Sequence, residues 1–238
     1  MIGKGKSISH GVAALEYDLA KEIDGQAAAT EIARHELYGC TGAEMVQEMK
    51  PYHIDFPNVK NNCLRFEVSP SIEESATFTD ADWAELGNDF MQRMGLANHQ
   101  YIIIRHSGTE SKKEQAHLHI LANRVSLSGE LYRDNWIGKK ATEAANAIAK
   151  ERNFVQSQDI GKVNKAEIKE AMDGVLKKMQ GFDFTKFKEE LGKRGFKVRE
   201  ARASTGKLNG YYVTARSGTE YKASEIGKGY TLAHIERT

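Results

Sequence analysis

Residues 101–125 read YIIIRHSGTESKKEQAHLHILANRV, two apolar runs separated by a polar one. Tyr101 to Ile104 is strand-forming and closes on Arg105-His106. His117-Leu118-His119 opens the second run, which carries Ile120, Leu121, Ala122 and Val125. Alternate side chains of a strand share a face, so His117 and His119 point the same way. The intervening SGTESKKEQA is polar and turn-prone, which predicts an antiparallel hairpin with a long loop. Pairing across that loop brings His106 beside His117 and gathers three imidazoles on one face. Such a cluster leaves coordination positions open, a property of catalytic metal sites. An HxH pair alone is as readily two histidines on a wet strand; His106 tips the balance toward metal. Position 121 is Leu, so the aspartate of an HxHxD hydrolase is missing, and His10, His35, His53, His99 and His234 form no comparable pattern.

Outward from the hairpin, the chain alternates between the two regular periods. Residues 62–70, NCLRFEVSP, set Cys63, Arg65 and Glu67 against Leu64, Phe66 and Val68, the mark of a half-buried strand. Glu67 shares its face with Arg65; it could orient a ligand histidine or pair with a cation across the strands. Thr79 caps a helix with Trp83, Leu86, Phe90 and Met94 on one side, ended by Gly95. Thr41 and Glu44 have capping-box spacing for another. Between Ser9 and Ile23, Val12, Leu15 and Leu19 mark an apolar helical stripe from which Tyr17 departs. An off-stripe tyrosine reads by itself as a boundary residue, ring inward and hydroxyl wet. An Ala-rich helix follows the hairpin at 138–154. The layout predicts an α+β fold, an antiparallel sheet with packed helices. Composition shifts near residue 158, which divides the chain into residues 1–160 and a small α+β subdomain at 161–238.

The chain has 238 residues, 40% hydrophobic and 28% charged, with a net charge of +1. Residues 161–238 hold 17 Lys and Arg against 10 Asp and Glu, leaving 17 against 23 in the remainder. A basic third on an acidic body could hold a polyanion locally, or could be a plain solvated surface. No window approaches the roughly 18 uninterrupted apolar residues of a membrane helix, so no membrane insertion is expected. Glu16, Asp18 and Glu22 stand where a signal peptide needs an apolar core. Cys40 and Cys63 lack metal-type spacing and suggest a reducing cytoplasm.

YIIIRHSG, AHLHILANRV and SGELYRDNW, followed by an Ala- and Lys-rich helix, resemble the histidine motif of plasmid and transposon mobilisation relaxases. Within these HUH-type tyrosine relaxases, the sequence is most similar to the MobB-like mobilisation nucleases of Bacteroides-type elements. GKSISHGVAALEY resembles the family's opening, a short strand entering a helix that bears the catalytic tyrosine. FKEELGKRGFKVREARASTGKLNGYYV resembles the region after its nuclease domain.

The resemblance implies Tyr17 as nucleophile, His106, His117 and His119 as metal ligands, and Asn123 in a backbone or supporting role on the histidine face. It further implies Mg²⁺ or Mn²⁺, although imidazole ligands equally admit Zn²⁺. Its partners would be single-stranded or nicked DNA at a transfer origin, with accessory mobilisation proteins and a coupling protein. The reaction would be strand-specific nicking and rejoining through a 5′-phosphotyrosyl intermediate. Cys63 stands where such relaxases often have a histidine, and the loop between His106 and His117 is longer than usual. A replication initiator or transposase with the same tyrosine and histidine chemistry, or a non-catalytic DNA-binding mobilisation accessory protein, is the alternative. Tyr38 is the nearest other tyrosine.

Overall fold

The computed structural model describes residues 1–108 and 115–236; most of the Lys- and Glu-rich loop between the histidine strands lies outside the described residues. The chain divides into two compact units, Met1–Ser157 and Gln158–Thr238.

The first unit starts with β1 (Ile2–Ile8) and α1 (Gly11–Leu19), then a two-residue-arm hairpin, β2 (Glu22–Ile23) and β3 (Gln26–Ala27). β4 (Ala29–His35), α2 (Gly42–Met49), β5 (Cys63–Ser69), α3 (Ile72–Ser75) and α4 (Asp80–Arg93) follow. The histidine hairpin is β6 (His99–His106) and β7 (His117–Ser126), and α5 (Ile137–Glu151) closes the unit. The capping box of Thr41 with Glu44 forms as expected, and the Thr79 cap is completed by Asp82 into a box as well. Each satisfies amide donors that the first helical turn otherwise leaves unpaired.

The strands pair antiparallel in the order β1-β5-β7-β6-β4. Helices cover both faces, which explains why Ile102, Ile103 and Ile104 are all buried in sequence. One face carries Leu64, Phe66, Val68, Ile103, Leu118 and Ile120 and packs on Trp83, Leu86 and Phe90 of α4 and the alanines of α5. Gly3 lets α5 lie close to β1: a Cβ there would sit 2.4 Å from the Ala141 carbonyl oxygen. The opposite face carries Ile8, Cys63, Ile102, Ile104 and Leu121 under α1 and α2. It is also the histidine face.

The first helix departs from its expected register. It spans Gly11–Leu19, and its buried residues are Gly11, Ala14, Leu15 and Asp18, whereas Val12 is exposed. The i, i+3, i+4, i+7 spacing holds, rotated so that a carboxylate rather than Leu19 completes the stripe. Gly11 fixes that rotation, because a Cβ there would meet Cys63 Sγ at 2.6 Å.

In the second unit, α6 (Ser157–Leu176) and α7 (Phe184–Lys193) pack on a three-stranded antiparallel sheet of β8 (Lys197–Arg202), β9 (Leu208–Thr214) and β10 (Glu220–Lys222), followed by α8 (Ala223–Ile226) and α9 (Leu232–Ile235). Its own core joins Ile168 and Met172 to Phe187, Leu191, Tyr211 and Val213. A separate core of this kind is what makes the segment a compact unit. No helix among the described residues is long and apolar enough to cross a membrane.

Candidate active site

His106 and His117 are direct partners across the β6–β7 hairpin, and His119 follows on the same face opposite Ile104. The three ring centroids lie 4.4 to 5.4 Å apart, and one nitrogen from each ring falls within 4.8 Å of the others. His106 and His117 are buried and His119 is nearly so.

Backbone carbonyls fix the ring orientations. His106 Nε2 donates to the Asp18 carbonyl at 2.7 Å, and His117 Nδ1 donates to that of Gln115 at 3.1 Å. A carbonyl only accepts, so each bond places the proton on that nitrogen and leaves a lone pair on the other. The free Nε2 of His117 faces Nε2 of His119 at 3.1 Å. Burial, together with the neighbouring imidazoles and Arg65, pushes His119 down to about 2, and burial also lowers His106. Both are therefore neutral ligands near pH 7. Three converging ring nitrogens, with the far nitrogens of His106 and His117 held by carbonyls and that of His119 3.4 Å from Arg65 Nη2, fit a divalent cation.

The carboxylate that reaches a ligand histidine is Asp18. It is buried on α1, takes hydrogen bonds from Arg65 Nε and Nη2, and stands 3.7 Å from His119 Nδ1. Burial pushes its pKa up, and the Arg65 guanidinium opposes that shift. Asp18 thus neighbours two of the three histidines, bonding His106 through its carbonyl and reaching His119 through Arg65, which it holds. Sequence reasoning passed over it: Asp18 completes the buried stripe of Gly11, Ala14 and Leu15, but a carboxylate at that spacing reads as surface.

Glu67 is the strand partner of His119, but its carboxylate takes Lys4 Nζ at 2.8 Å. It makes the cross-strand ion pair. Asn123 is fully buried on the histidine face, and its role is to fasten segments together. Its Oδ1 accepts from Val125 N and from His53 Nε2 at 2.7 Å, while its Nδ2 donates to Gln100 at 2.9 Å. Cys63 lies opposite Asn123 on β5 and is buried, with its thiol pushed up to about 11.

Tyr17 precedes Asp18 on α1 and is 59% exposed, with Lys21 Nζ 5.6 Å from its ring centroid. Successive helical residues point about 100° apart, so Asp18 turns in toward the histidines while Tyr17 faces solvent. Tyr38 is more exposed and its hydroxyl is tied to Glu36 at 3.0 Å, which raises its pKa and works against a nucleophile.

Residues 17–154, more than half of the chain, match the family described as Relaxase, MobA/VirD2-like, nuclease domain. The chain belongs to this relaxase family. It is a DNA-nicking enzyme, and the matched span takes in Tyr17 and all three histidines. The match names the MobA/VirD2-like domain, not the narrower MobB-like group. No curated protein matches the sequence significantly. Two solved structures of the conjugative relaxase TrwC in complex with oriT DNA, one metal-bound and one metal-free, are similar over 87% of this chain and 74% of theirs. Their identities are 12% and 10% and their TM-scores 0.37 and 0.39, too loose a likeness to transfer any residue or ligand.

A cleft of about 230 Å³ opens beside His119, walled by Lys4, Lys6, Arg65 and Glu67. A larger one, about 900 Å³, lies in the second unit of the relaxase. Glu167, Glu170 and Asp173 line it with Lys177, Arg194 and Arg216, and it contains neither imidazole nor thiol. The three histidines and the matched nuclease domain both lie in the first unit.

Proposed function

We propose that the protein nicks and rejoins one DNA strand at the transfer origin of a mobile element, with Tyr17 as nucleophile and His106, His117 and His119 as metal ligands. The observation that carries this reading is the join at α1. Asp18 bonds His106 through its carbonyl and, through Arg65, adjoins His119, and the Cα of Tyr17 is about 3.8 Å from that of Asp18. A helix held this way keeps the phenol at the rim of the histidine cluster.

His106, His117 and His119 would hold a divalent cation, Mg²⁺ or Mn²⁺ by resemblance, which would supply positive charge to the scissile phosphate. Tyr17 Oη attacks phosphorus and loses its proton. The bond from phosphorus to the 3′ oxygen breaks, and that oxygen takes up a proton as a free 3′-hydroxyl. The 5′-phosphotyrosyl product retains the phosphodiester bond energy, so the reverse attack by a 3′-hydroxyl reseals a strand. Asp18 and the carbonyl of Gln115 hold the rings throughout. Asn123 acts behind the ligands by fixing β7. A DNA substrate would place the reaction in the cytoplasm, where accessory mobilisation proteins and a coupling protein would act with it.

The test is a covalent adduct. Single-stranded oligonucleotides spanning the element's transfer origin, incubated with Mn²⁺ and the protein, should yield a slower band on a denaturing gel. Tyr17→Phe should give none while still binding Mn²⁺. An adduct that survives in Tyr17→Phe removes the nucleophile assignment; no adduct from wild type under any divalent metal removes the reaction.

A further inference from the structure

The histidine face is only partly covered. α1 and α2 roof it as far as Ile8 of β1 and Cys63 of β5. Beyond them, two cross-strand rows lie open: Lys6 with Arg65, and Lys4 with Glu67 and, one strand further, His119. Strands in a sheet are about 4.8 Å apart, which puts the Cα of Lys4 about 10 Å from that of His119. The cleft beside His119 is walled by Lys4, Gly5, Lys6, Arg65, Phe66 and Glu67, with three cations against one carboxylate. The charges are not equally committed. Arg65 is bound to Asp18, and Lys4 meets Glu67 in an exposed pair. Such a pair exchanges readily for a stronger anion. Lys6 is exposed and has no ion pair among the described residues.

We propose that Lys4 and Lys6 form a phosphate subsite that holds a neighbouring backbone phosphate of the single strand being cleaved. The inference rests on the nicking reading and adds a residue-level path for the strand, along β1 and across β5 to the histidines. Two lysines on a rigid strand beside the cluster fix the register of the strand at the metal. They bind as point charges and read no base.

The test is the affinity of the full chain for a fluorescent single-stranded 30-mer, followed by anisotropy in EDTA as NaCl is varied. Each phosphate contact to a single strand contributes about −0.7 to the slope of log K against log salt. Lys4→Ala/Lys6→Ala should flatten the slope by about 1.4, and the same relation referred to 1 M gives a roughly 25-fold weaker affinity at 0.1 M. Lys4→Arg/Lys6→Arg should restore both. Mn²⁺ binding should be unchanged, showing that the cluster is intact. Full affinity and slope in the alanine pair overturn the subsite and leave the nicking reading standing. So does an equal loss in Lys139→Ala/Lys150→Ala, on α5 across the sheet, because it marks diffuse attraction. A wild type that binds no single strand fails the nicking reading first.

Discussion

Asp18→Asn tests the site where its parts are most tightly joined. Asp18 is 2% exposed at its side chain and Arg65 19%, so the pair is largely removed from water. Removing one partner of a buried pair costs about 3–5 kcal/mol. Asparagine keeps the shape and one acceptor, and Arg65 retains some solvent, so about 2–3 kcal/mol is expected here. At a urea dependence of about 1–3 kcal/mol per molar, the unfolding midpoint falls by roughly 1 M. Trp83 and Trp136 are the protein's two tryptophans and both belong to the first unit, so intrinsic fluorescence reports its unfolding. The second expected effect is on metal. The carboxylate holds Arg65, whose Nη2 lies 3.4 Å from His119 Nδ1, and loss of a group that orients a ligand histidine weakens binding about 10–100-fold, which a Mn²⁺ titration reads directly. The two effects separate in Asp18→Leu/Arg65→Leu, where apolar replacement of both partners brings stability back toward wild type and Mn²⁺ affinity stays low. Unchanged Mn²⁺ affinity in Asp18→Asn would refute the role assigned to this carboxylate.

Mn²⁺ at 100 times its Kd should stabilise the first unit by about 2.7 kcal/mol, a Tm rise on the order of 5–10 °C. His117→Ala and His119→Ala should abolish that rise, and its persistence in both would place the metal elsewhere. Ellman's reagent at pH 8 should titrate one thiol in the native protein, Cys40, and two in denaturant, because Cys63 is buried and pushed up to about 11; two fast native thiols would contradict that burial. Gly11→Ala should destabilise by about 1–3 kcal/mol through overpacking, because its Cβ meets Cys63 Sγ. Adding Cys63→Ala should recover most of the loss in urea unfolding, and no recovery would mean that Gly11 serves something other than close approach.

What the sequence disclosed divides along the line between local and distant causes. The hairpin was legible because a period of two, a polar loop and flanking apolar runs are all encoded within residues 101–125. The capping box at Thr41 and the helix cap at Thr79 were legible for the same reason. Sheet order was not. β1 pairs with β5 some sixty residues later, and nothing local in IGKGKSI indicates that Lys4 will stand opposite Glu67 and occupy it. Asp18 was hidden likewise: hydropathy assigns a carboxylate to the surface, and what buries this one is an arginine 47 residues away. Tyr17 is exposed on a helix, a position with no chemical signature of its own, and so only a family resemblance could single it out.

These two residues, one hidden and one unmarked, explain how a site assembled from opposite ends of the nuclease unit works as one. The histidines come from a hairpin in the interior of the sheet, each strand paired on both sides. The proposed nucleophile comes from a helix with only a short buried stripe, Gly11, Ala14, Leu15 and Asp18. Such a helix needs a specific tie to hold its rotation, since a turn of one residue would swing Tyr17 by about 100°. The tie is Asp18, anchored by Arg65 from the sheet and bonded through its carbonyl to His106. Because the same residue bonds His106 and holds Arg65 beside His119, the proposed metal site and the placement of the phenol would be coupled. A variant that loosens α1, Gly11→Ala included, should therefore weaken Mn²⁺ binding without touching a ligand, and Cys63→Ala should restore metal affinity and stability together.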